Sequence, residues 1–381
     1  MHLNMVNMRI VSWNVQGLGG SVCNKMRERL RLEVERALTA GLVDILLIQE
    51  HHLSQRRIDN YGSILPGHWL SYWSSRIGNS NAQAGVCFAI AEKWKSNVVH
   101  YEELIPGRAQ SIMLEVNNDK VGFLNVYAPN SSSARASFWS ELTSLCSADV
   151  SWCVGGDFNM IERVKDRTNG SMVTVHGQEL ASWERFCFHL HIMDTWTNDA
   201  FVRMKDSLYF SRSNRRQNDA NLARLDRFYV SSNMAQRGGQ IGIMAGTTFS
   251  DHAPVLLLLK DEVVYRKDTF RIPDSIIRDA TLRAQVETIW NGRRNVEDPV
   301  KDFMTKIEES SKLFRLQEKE KYSIFVQREK ALRSSLSSSQ ILQEKFPNCK
   351  WIGDLLYKAR MEIMEMEARR ADAQLDRKSA E

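Results

Sequence analysis

An α/β domain followed by a helical C-terminal extension is the fold class that this sequence of 381 residues predicts. Three observations lead there. Over roughly the first 260 residues, short apolar runs of strand length alternate with turn signals and a few amphipathic helical stretches. Several of those runs end on a polar residue suited to chemistry rather than to burial, among them Asn14, Glu50 and Asp157. Beyond Leu259, charged residues crowd with Leu, Ile, Phe and Met, and glycine becomes scarce, as in helices with one buried face. The boundary is expected within 262–274, which gives a first domain over 1–262 and an extension over 263–381.

Composition bounds the chemistry. Hydrophobic residues make up 43% and charged ones 25%, enough for a sizeable core and contrary to wholesale disorder. The net charge of +5 is too mild to announce a nucleic-acid partner by itself. Six cysteines stand at irregular spacing with no Cys-x-x-Cys pair or zinc-ligand pattern, so buried free thiols in a reducing compartment are expected. The first residues lack the apolar core of a signal peptide, and no apolar run approaches the roughly 20 residues of a membrane span. The expectation is an intracellular protein of nucleus or cytoplasm without a membrane partner.

In chain order, Arg9–Asn14 reads as a strand that stops at Asn14, Gln16 and Gly17. Residues 24–40 carry an amphipathic helical pattern ended by Gly41. Val43–Gln49 is a buried strand with Glu50 at its exit, where a carboxylate is either a cap or a site residue. Short strands follow at Trp69–Trp73, Ala84–Ile90, Asn97–Glu103, Ser111–Val116 and Val121–Tyr127, and the last runs into Ala128-Pro129-Asn130. Ala134–Cys146 reads as a helix. Ser151–Val154 is a strand leading into Gly155-Gly156-Asp157-Phe158-Asn159, whose glycines are expected to turn the backbone so that Asp157 and Asn159 project together. An ordinary Asp/Asn turn is the other reading.

Gln178–His191 reads as a helix, with His189 and His191 as ordinary helix residues. Residues 208–230 read as a hairpin whose arginine-rich tip holds Arg212, Arg215 and Arg216, either a solvated loop or an arm that grips phosphate. Ser250-Asp251-His252 precedes the apolar run Val255–Leu259. In the extension, Gly292 and Pro299 separate helices, Ser334–Ser339 is expected to form a flexible joint, and irregular heptads give coiled-coil tendencies.

The polar residues that end apolar runs are Asn14, Glu50, Tyr127, Asn130, Asp157, Asn159, Asp226, Asp251 and His252. In-line displacement at phosphorus needs a hard cation, a base for the attacking water and donors for the phosphate. Carboxylates with a few waters suit Mg²⁺, and an imidazole held by a carboxylate can donate to phosphate or shuttle a proton.

Ser-Trp-Asn-Val-Gln-Gly at 12–17, Gln-Glu at 49–50 and Val-Tyr-Ala-Pro-Asn at 126–130 stand in one order with Gly-Asp-Phe-Asn at 156–159, Arg-Leu-Asp-Arg-Phe at 224–228 and Ser-Asp-His at 250–252. The series resembles the endonuclease/exonuclease/phosphatase superfamily over roughly residues 8–260. That resemblance implies a four-layer α/β sandwich with the site at one end of two packed sheets. It implies that Glu50 binds Mg²⁺ (or Mn²⁺ in its place), with Asn14 and Asp251 on the metal side. Asp157 would act on the attacking water and Asn159 orient it, Tyr127 and Asn130 would contact the phosphate, and His252 would donate to it while Asp226 fixes its tautomer. One departure is Gln16, where repair enzymes of this superfamily usually carry an acid.

Arg224–Ser231 is similar to the endonuclease domain of plant-type non-LTR, LINE-like retrotransposons, and the stretch after it resembles the region preceding reverse transcriptase in those elements. The resemblance implies a DNA-nicking endonuclease with DNA as partner. Arg212, Arg215 and Arg216 would line the groove beside the cut, and the C-terminal helices would take a protein partner. The alternatives are an RNA, repair or phospholipid phosphodiesterase of the same superfamily, or a catalytically silent nucleic-acid or partner-binding scaffold.

Overall fold

The computed structural model describes residues 8–18, 43–56, 58, 69–75, 84–116, 119–168, 177–205, 207–214, 221–244, 250–259, 280–292, 299–321, 324–347 and 349–379. Along the chain the strands are β1 Met8–Asn14, β2 Ile45–Gln49, β3 Trp69–Ser74, β4 Val86–Ala91 and β5 Val98–Ile105. There follow β6 Ala109–Val116, β7 Asp119–Tyr127, β8 Ser151–Asp157, β9 Ile192–Asp194 and β10 Phe201–Arg203. The last five are β11 Arg212–Asn214, β12 Asn221–Ala223, β13 Asp226–Ser231, β14 Gly239–Ile243 and β15 Val255–Leu259. The longer helices are α1 Ser132–Leu145, α2 Gly177–Leu190, α3 Ala280–Asn291, α4 Pro299–Lys321, α5 Ile324–Lys345 and α6 Lys350–Ser379.

Two mixed sheets result. One has the order β10-β14-β15-β1-β2-β4-β3, the other β5-β6-β7-β8-β13-β9, and β11 pairs with β12 as a separate hairpin. Their central strands are apolar on both faces because both faces are covered. Ile10, Leu47, Phe88, Phe123, Cys153 and Phe228 fill the space between the sheets. On the outer face of the second sheet, Trp139 of α1 and Trp183 and Phe186 of α2 pack with Trp152, Phe158 and Tyr229. This is the expected α/β sandwich, and helices occupy the C-terminal part of the chain. The helix expected over 24–40 lies outside the described residues.

The glycines of the Gly155-Gly156-Asp157 run do not make the turn expected of them. Strand β8 continues through both, and the turn falls at Asn159, whose φ is +47°. The glycines instead admit close neighbours. A Cβ on Gly155 would lie 2.4 Å from the Phe228 ring, and one on Gly156 would lie 1.9 Å from the Val126 carbonyl oxygen. Gly156→Ala is therefore expected to destabilise by about 1–3 kcal/mol, read from the urea midpoint, because the backbone of β7 cannot yield as a side-chain tip would.

By compactness the chain separates into two units, residues 1–262 with 333–381, and residues 263–332. The helices beyond residue 262 are thus shared between both. Within the second unit Trp290 stacks edge-on against Phe303 and its indole N–H donates to Ser310 Oγ at 3.1 Å. The Ser334–Ser339 stretch, expected as a joint, is instead continuous helix inside α5. Serine lowers helix propensity only modestly, and burial of Leu336 and Ser339 outweighs that cost. Among the described residues no helix is long and apolar enough to cross a membrane. Cys87, Cys146 and Cys153 are buried free thiols, pushed up in pKa by burial, and Cys23 lies outside the described residues.

Candidate active site

Side chains alternate faces along a strand, so parity decides which residues enter the space between the sheets. On β7, Phe123 faces inward while Leu124 and Val126 face the helices, which sends Tyr127 inward at the strand's end. Cys153 sets the same parity for Asp157 on β8, and Phe228 sets it for Asp226 on β13. Register completes the placement, since Tyr127 pairs with Asp157 and Asp157 with Asp226. Three polar side chains thus stand side by side on one sheet edge. From the facing sheet come Asn14 at the end of β1, Glu50 just past β2, and Asp251 and His252 just before β15.

Asn14 joins the halves. Its amide nitrogen donates to Glu50 Oε1 at 3.0 Å and to Asp157 Oδ2 at 2.9 Å, while its oxygen accepts from the Gln16 backbone at 3.0 Å. The Asn159 N–H donates to Asp157 Oδ1 at 2.9 Å, and its side-chain amide donates to the Ala128 carbonyl at 2.9 Å. His252 Nδ1 lies 2.7 Å from Asp226 Oδ2, and its Nε2 lies 3.7 Å from Asp251 Oδ1. Gln16, Glu50, His52 and Asn159 all hold positive φ, between 47° and 54°. Non-glycine residues in that region cost free energy, and such strain gathers at functional sites.

The electrostatics separate the acids. Burial favours a neutral Glu50, but hydrogen bonds from His52, Tyr127 and Asn14 hold its pKa down to about 2. Burial and the adjoining Asp226 carboxylate raise Asp157 instead. For His252, burial would lower the pKa, yet Asp226, with Asp157 and Asp251, raises it to about 9. Burial and the neighbouring Glu50, which the Tyr127 hydroxyl meets, raise the tyrosine. The Arg108 guanidinium caps the Tyr127 ring at 4.4 Å.

Glu50, Tyr127, Asn159 and His252 line a cleft of about 460 Å³ with Gln16, Asn130, Arg167, Arg212 and Asn221 on its walls, and Asn14, Asp157 and Asp226 are buried behind them. The structure therefore brings together Asn14, Glu50, Tyr127, Asn130, Asp157, Asn159, Asp226, Asp251, His252 and Arg212. Arg212 stands at the base of the β11–β12 hairpin, not at its tip. It pairs across from His252, with Nε 3.4 Å from Asp251 Oδ2. The short bridge to residue 252 fixes this, because it starts the hairpin beside the site. Arg215 and Arg216 lie outside the described residues. Gln16 Oε1 accepts from the Asp251 backbone at 3.5 Å, where an acid was the family expectation. Asp157, Asp226 and His252 also have ligand atoms within 4.8 Å of one another, a cluster that could hold a metal ion.

Two contributors escape a reading of the sequence. His52 Nε2 approaches Glu50 Oε2 at 3.4 Å, and the Glu-His-His run gave no sign of which histidine faces the acid. Its neighbour His51 is fully buried against the Ser74 carbonyl, and burial lowers its pKa to about 4. Ser211 Oγ accepts from the backbone of Leu225 and Asp226 at 3.0 and 2.9 Å, holding the start of β13. A lone serine in a polar stretch carries no such signal.

A family model described as the Endonuclease/Exonuclease/phosphatase family matches residues 11–252. The chain belongs to that family. Its members are hydrolytic nucleases and phosphatases. An uncharacterized 149 kDa protein of transposon TX1 from Xenopus laevis is 23% identical over 283 residues, covering 72% of this chain. The chain spans 20% of the length of that relative. Among solved structures, the AP endonuclease LMAP of Leishmania major aligns with TM-score 0.51 and 17% identity over 67% of this chain and 88% of that one. The catalytic domain of Xenopus laevis APE2 aligns with TM-score 0.50 and 18% identity over 68% of this chain and 94% of that one. These two likenesses are of fold.

Proposed function

We propose that the chain is a divalent-metal-dependent phosphodiesterase that nicks DNA, an endonuclease of non-LTR retrotransposon origin. The observation that carries this reading is the meeting of two hydrogen-bonded groups, Glu50–Asn14–Asp157 and His252–Asp226, with ligand atoms of Asp157, Asp226 and His252 within 4.8 Å of one another and Glu50 and His252 lining one cleft. The transposon relative supports the origin.

The donor set fits a hard cation. Glu50 is ionised and lines the cleft, and a buried oxygen of the nearby Asp251 has no hydrogen-bond partner, so carboxylate oxygens suited to such an ion are present. Glu50 would hold Mg²⁺, with Asn14 and Asp251 on the same side and Mn²⁺ as the substitute. We prefer this place to the Asp157–Asp226–His252 cluster because His252 Nδ1 is already engaged by Asp226. When bound, the ion would neutralise charge developing on the phosphate and the leaving oxygen.

The remaining roles belong to the chain. Asp157, raised in pKa, takes the proton of the attacking water, which Asn159 orients. Tyr127 and Asn130 hold the phosphate. His252, cationic at neutral pH and fixed by Asp226, donates to a non-bridging oxygen. Water attacks phosphorus, the P–O3′ bond breaks, the leaving oxygen takes a proton from solvent, and the strand keeps a 3′-hydroxyl opposite a 5′-phosphate. Arg212, together with Arg215 and Arg216 three and four residues later in the sequence, would track flanking phosphates.

The test is a supercoiled plasmid incubated with the full chain in Mg²⁺, then with excess EDTA, then with Mg²⁺ restored. Conversion to open circles that chelation stops and Mg²⁺ restores is the expected result. Conversion unaffected by EDTA would overturn the metal assignment. No conversion by folded protein would overturn DNA as substrate and send the same assay to RNA and phospholipid.

A further inference from the structure

A carboxylate of the C-terminal helices, Glu344, holds the backbone beside the site. Within the first unit the apolar face of α5 and α6 is buried at Leu336, Ile352, Leu356 and Ile363, and Ile341 packs against the core between the sheets. On that buried face Glu344 accepts from two consecutive backbone amides. Its Oε1 is 2.8 Å from both Tyr209 N and Phe210 N, and its Oε2 is 2.9 Å from Tyr209 N. Burial raises the Glu344 pKa while the two amides oppose that rise. A carboxylate is seldom kept in such a place without partners, and here the partners are the backbone of one short segment.

That segment, Tyr209–Ser213, is a strap between the helices and the catalytic pair. Just past the amides that Glu344 holds, Ser211 Oγ accepts from Leu225 N and Asp226 N, and the Ser211 carbonyl accepts from Ala253 N at 2.6 Å. Two residues on, Ser213 N donates to the Asp251 carbonyl at 2.9 Å. The strap therefore clasps the residue that orients His252 on one side and the backbone on both flanks of His252 on the other. Asp226 starts β13 in one sheet and His252 leads into β15 of the other, so the strap adds a backbone tie between the sheets to the hydrogen bond that the two side chains make themselves.

We propose that Glu344 is a positioning residue for the His252–Asp226 pair, acting through the Tyr209–Ser213 strap, so that the C-terminal helices complete the catalytic unit. This rests on the phosphodiesterase reading for its kinetic consequence but not for its structural one. A shift of the strap would move Asp226 and His252 relative to each other, while the phosphate-binding Tyr127 and Asn130 on β7 and the loop after it would stay in place. The effect should fall on kcat and spare KM, since small misplacements of reacting groups cost rate before binding.

The experiment compares full-length wild type with Glu344→Ala, Glu344→Gln and Ser211→Ala. Kinetics are measured on a nicked-duplex assay in Mg²⁺, and amide hydrogen exchange on the same samples. Glu344→Ala is expected to lower kcat about tenfold with KM within about twofold. Glu344→Gln keeps one oxygen for both amides and should restore most of the rate. In exchange, Glu344→Ala should deprotect Tyr209 and Phe210 and also Asp226 and Ala253, by about tenfold. Wild-type kcat in Glu344→Ala, or deprotection confined to Tyr209 and Phe210, would overturn the proposal. Should Glu344→Ala fail to fold, the pair Glu344→Gln and Ser211→Ala decides. Their losses combine non-additively if both act through the strap, and additive losses would sink it. Should even the wild type cleave nothing, the phosphodiesterase reading fails and the exchange arm still judges the strap.

Discussion

His252→Ala is expected to lower the rate of phosphodiester cleavage by about 10²–10⁴-fold, measured in single turnover with Mg²⁺ saturating at a temperature where the variant is still folded. The imidazole is buried and held at 2.7 Å by Asp226, so no other cation reaches the same point of the cleft among the described residues with that constraint. Arg212 faces the cleft as well, but its guanidinium leans on Asp251. Asp226→Asn should fall in the same range by a different route. Replacing the carboxylate removes the main influence that raises His252, so the alkaline limb of the rate should move down from about pH 9. The sign follows from linkage. A folded pKa above the ordinary 6.5 means that the stability gained from protonated His252 is complete below that value and is lost as pH rises through about 9. Asp226→Asn should therefore flatten the stability profile between those two values. An unmoved alkaline limb in Asp226→Asn would show that His252 is not the titrating donor.

Much of this site was legible in the sequence because its parts end strands. Asn14, Glu50, Asp157 and Asp251-His252 each interrupt an apolar run that had no structural use for them, and sheet geometry then collects strand ends at one edge. What sequence could not give is which backbone supports which side chain. The Gly155-Gly156 pair looked like a hinge because glycine permits a turn. The structure uses the missing Cβ to admit Phe228 and the β7 backbone, a tertiary contact with no local trace. Likewise Ser334–Ser339 reads as a break by composition, yet burial of the neighbouring Leu336 keeps the helix intact. Glu344 lies 135 residues from Tyr209 in a helix that carries several other charges, so nothing local marks it out.

The Arg-Leu-Asp-Arg-Phe run shows the same limit from the side of stability. The sequence assigns no role to its two arginines, and Arg224 and Arg227 are both buried. Arg224 Nε reaches Asp166 Oδ1 at 2.9 Å, and its Nη2 reaches Asp194 Oδ2 at 2.8 Å, while Arg227 Nη2 approaches Asp166 Oδ2 at 3.4 Å. Burial would lower the Arg224 pKa and raise that of Asp166, yet the mutual attraction wins in both, raising the arginine and lowering the acid. Arg224→Met should therefore cost about 3–5 kcal/mol, seen as a lower urea midpoint with an unchanged slope, because Asp194 is left buried without its guanidinium. Asp166 keeps Arg227 and suffers less. Adding Asp194→Asn to Arg224→Met should recover part of the loss, since it removes the stranded charge. Acid should act in the same direction on wild type. The Asp166 contribution is present above its ordinary pKa of 3.8 and is lost as pH falls through the lower folded value. If Arg224→Met lost less than about 1 kcal/mol, the network would be no better than an exposed ion pair, and strand β13 would owe its position to strand pairing and apolar packing.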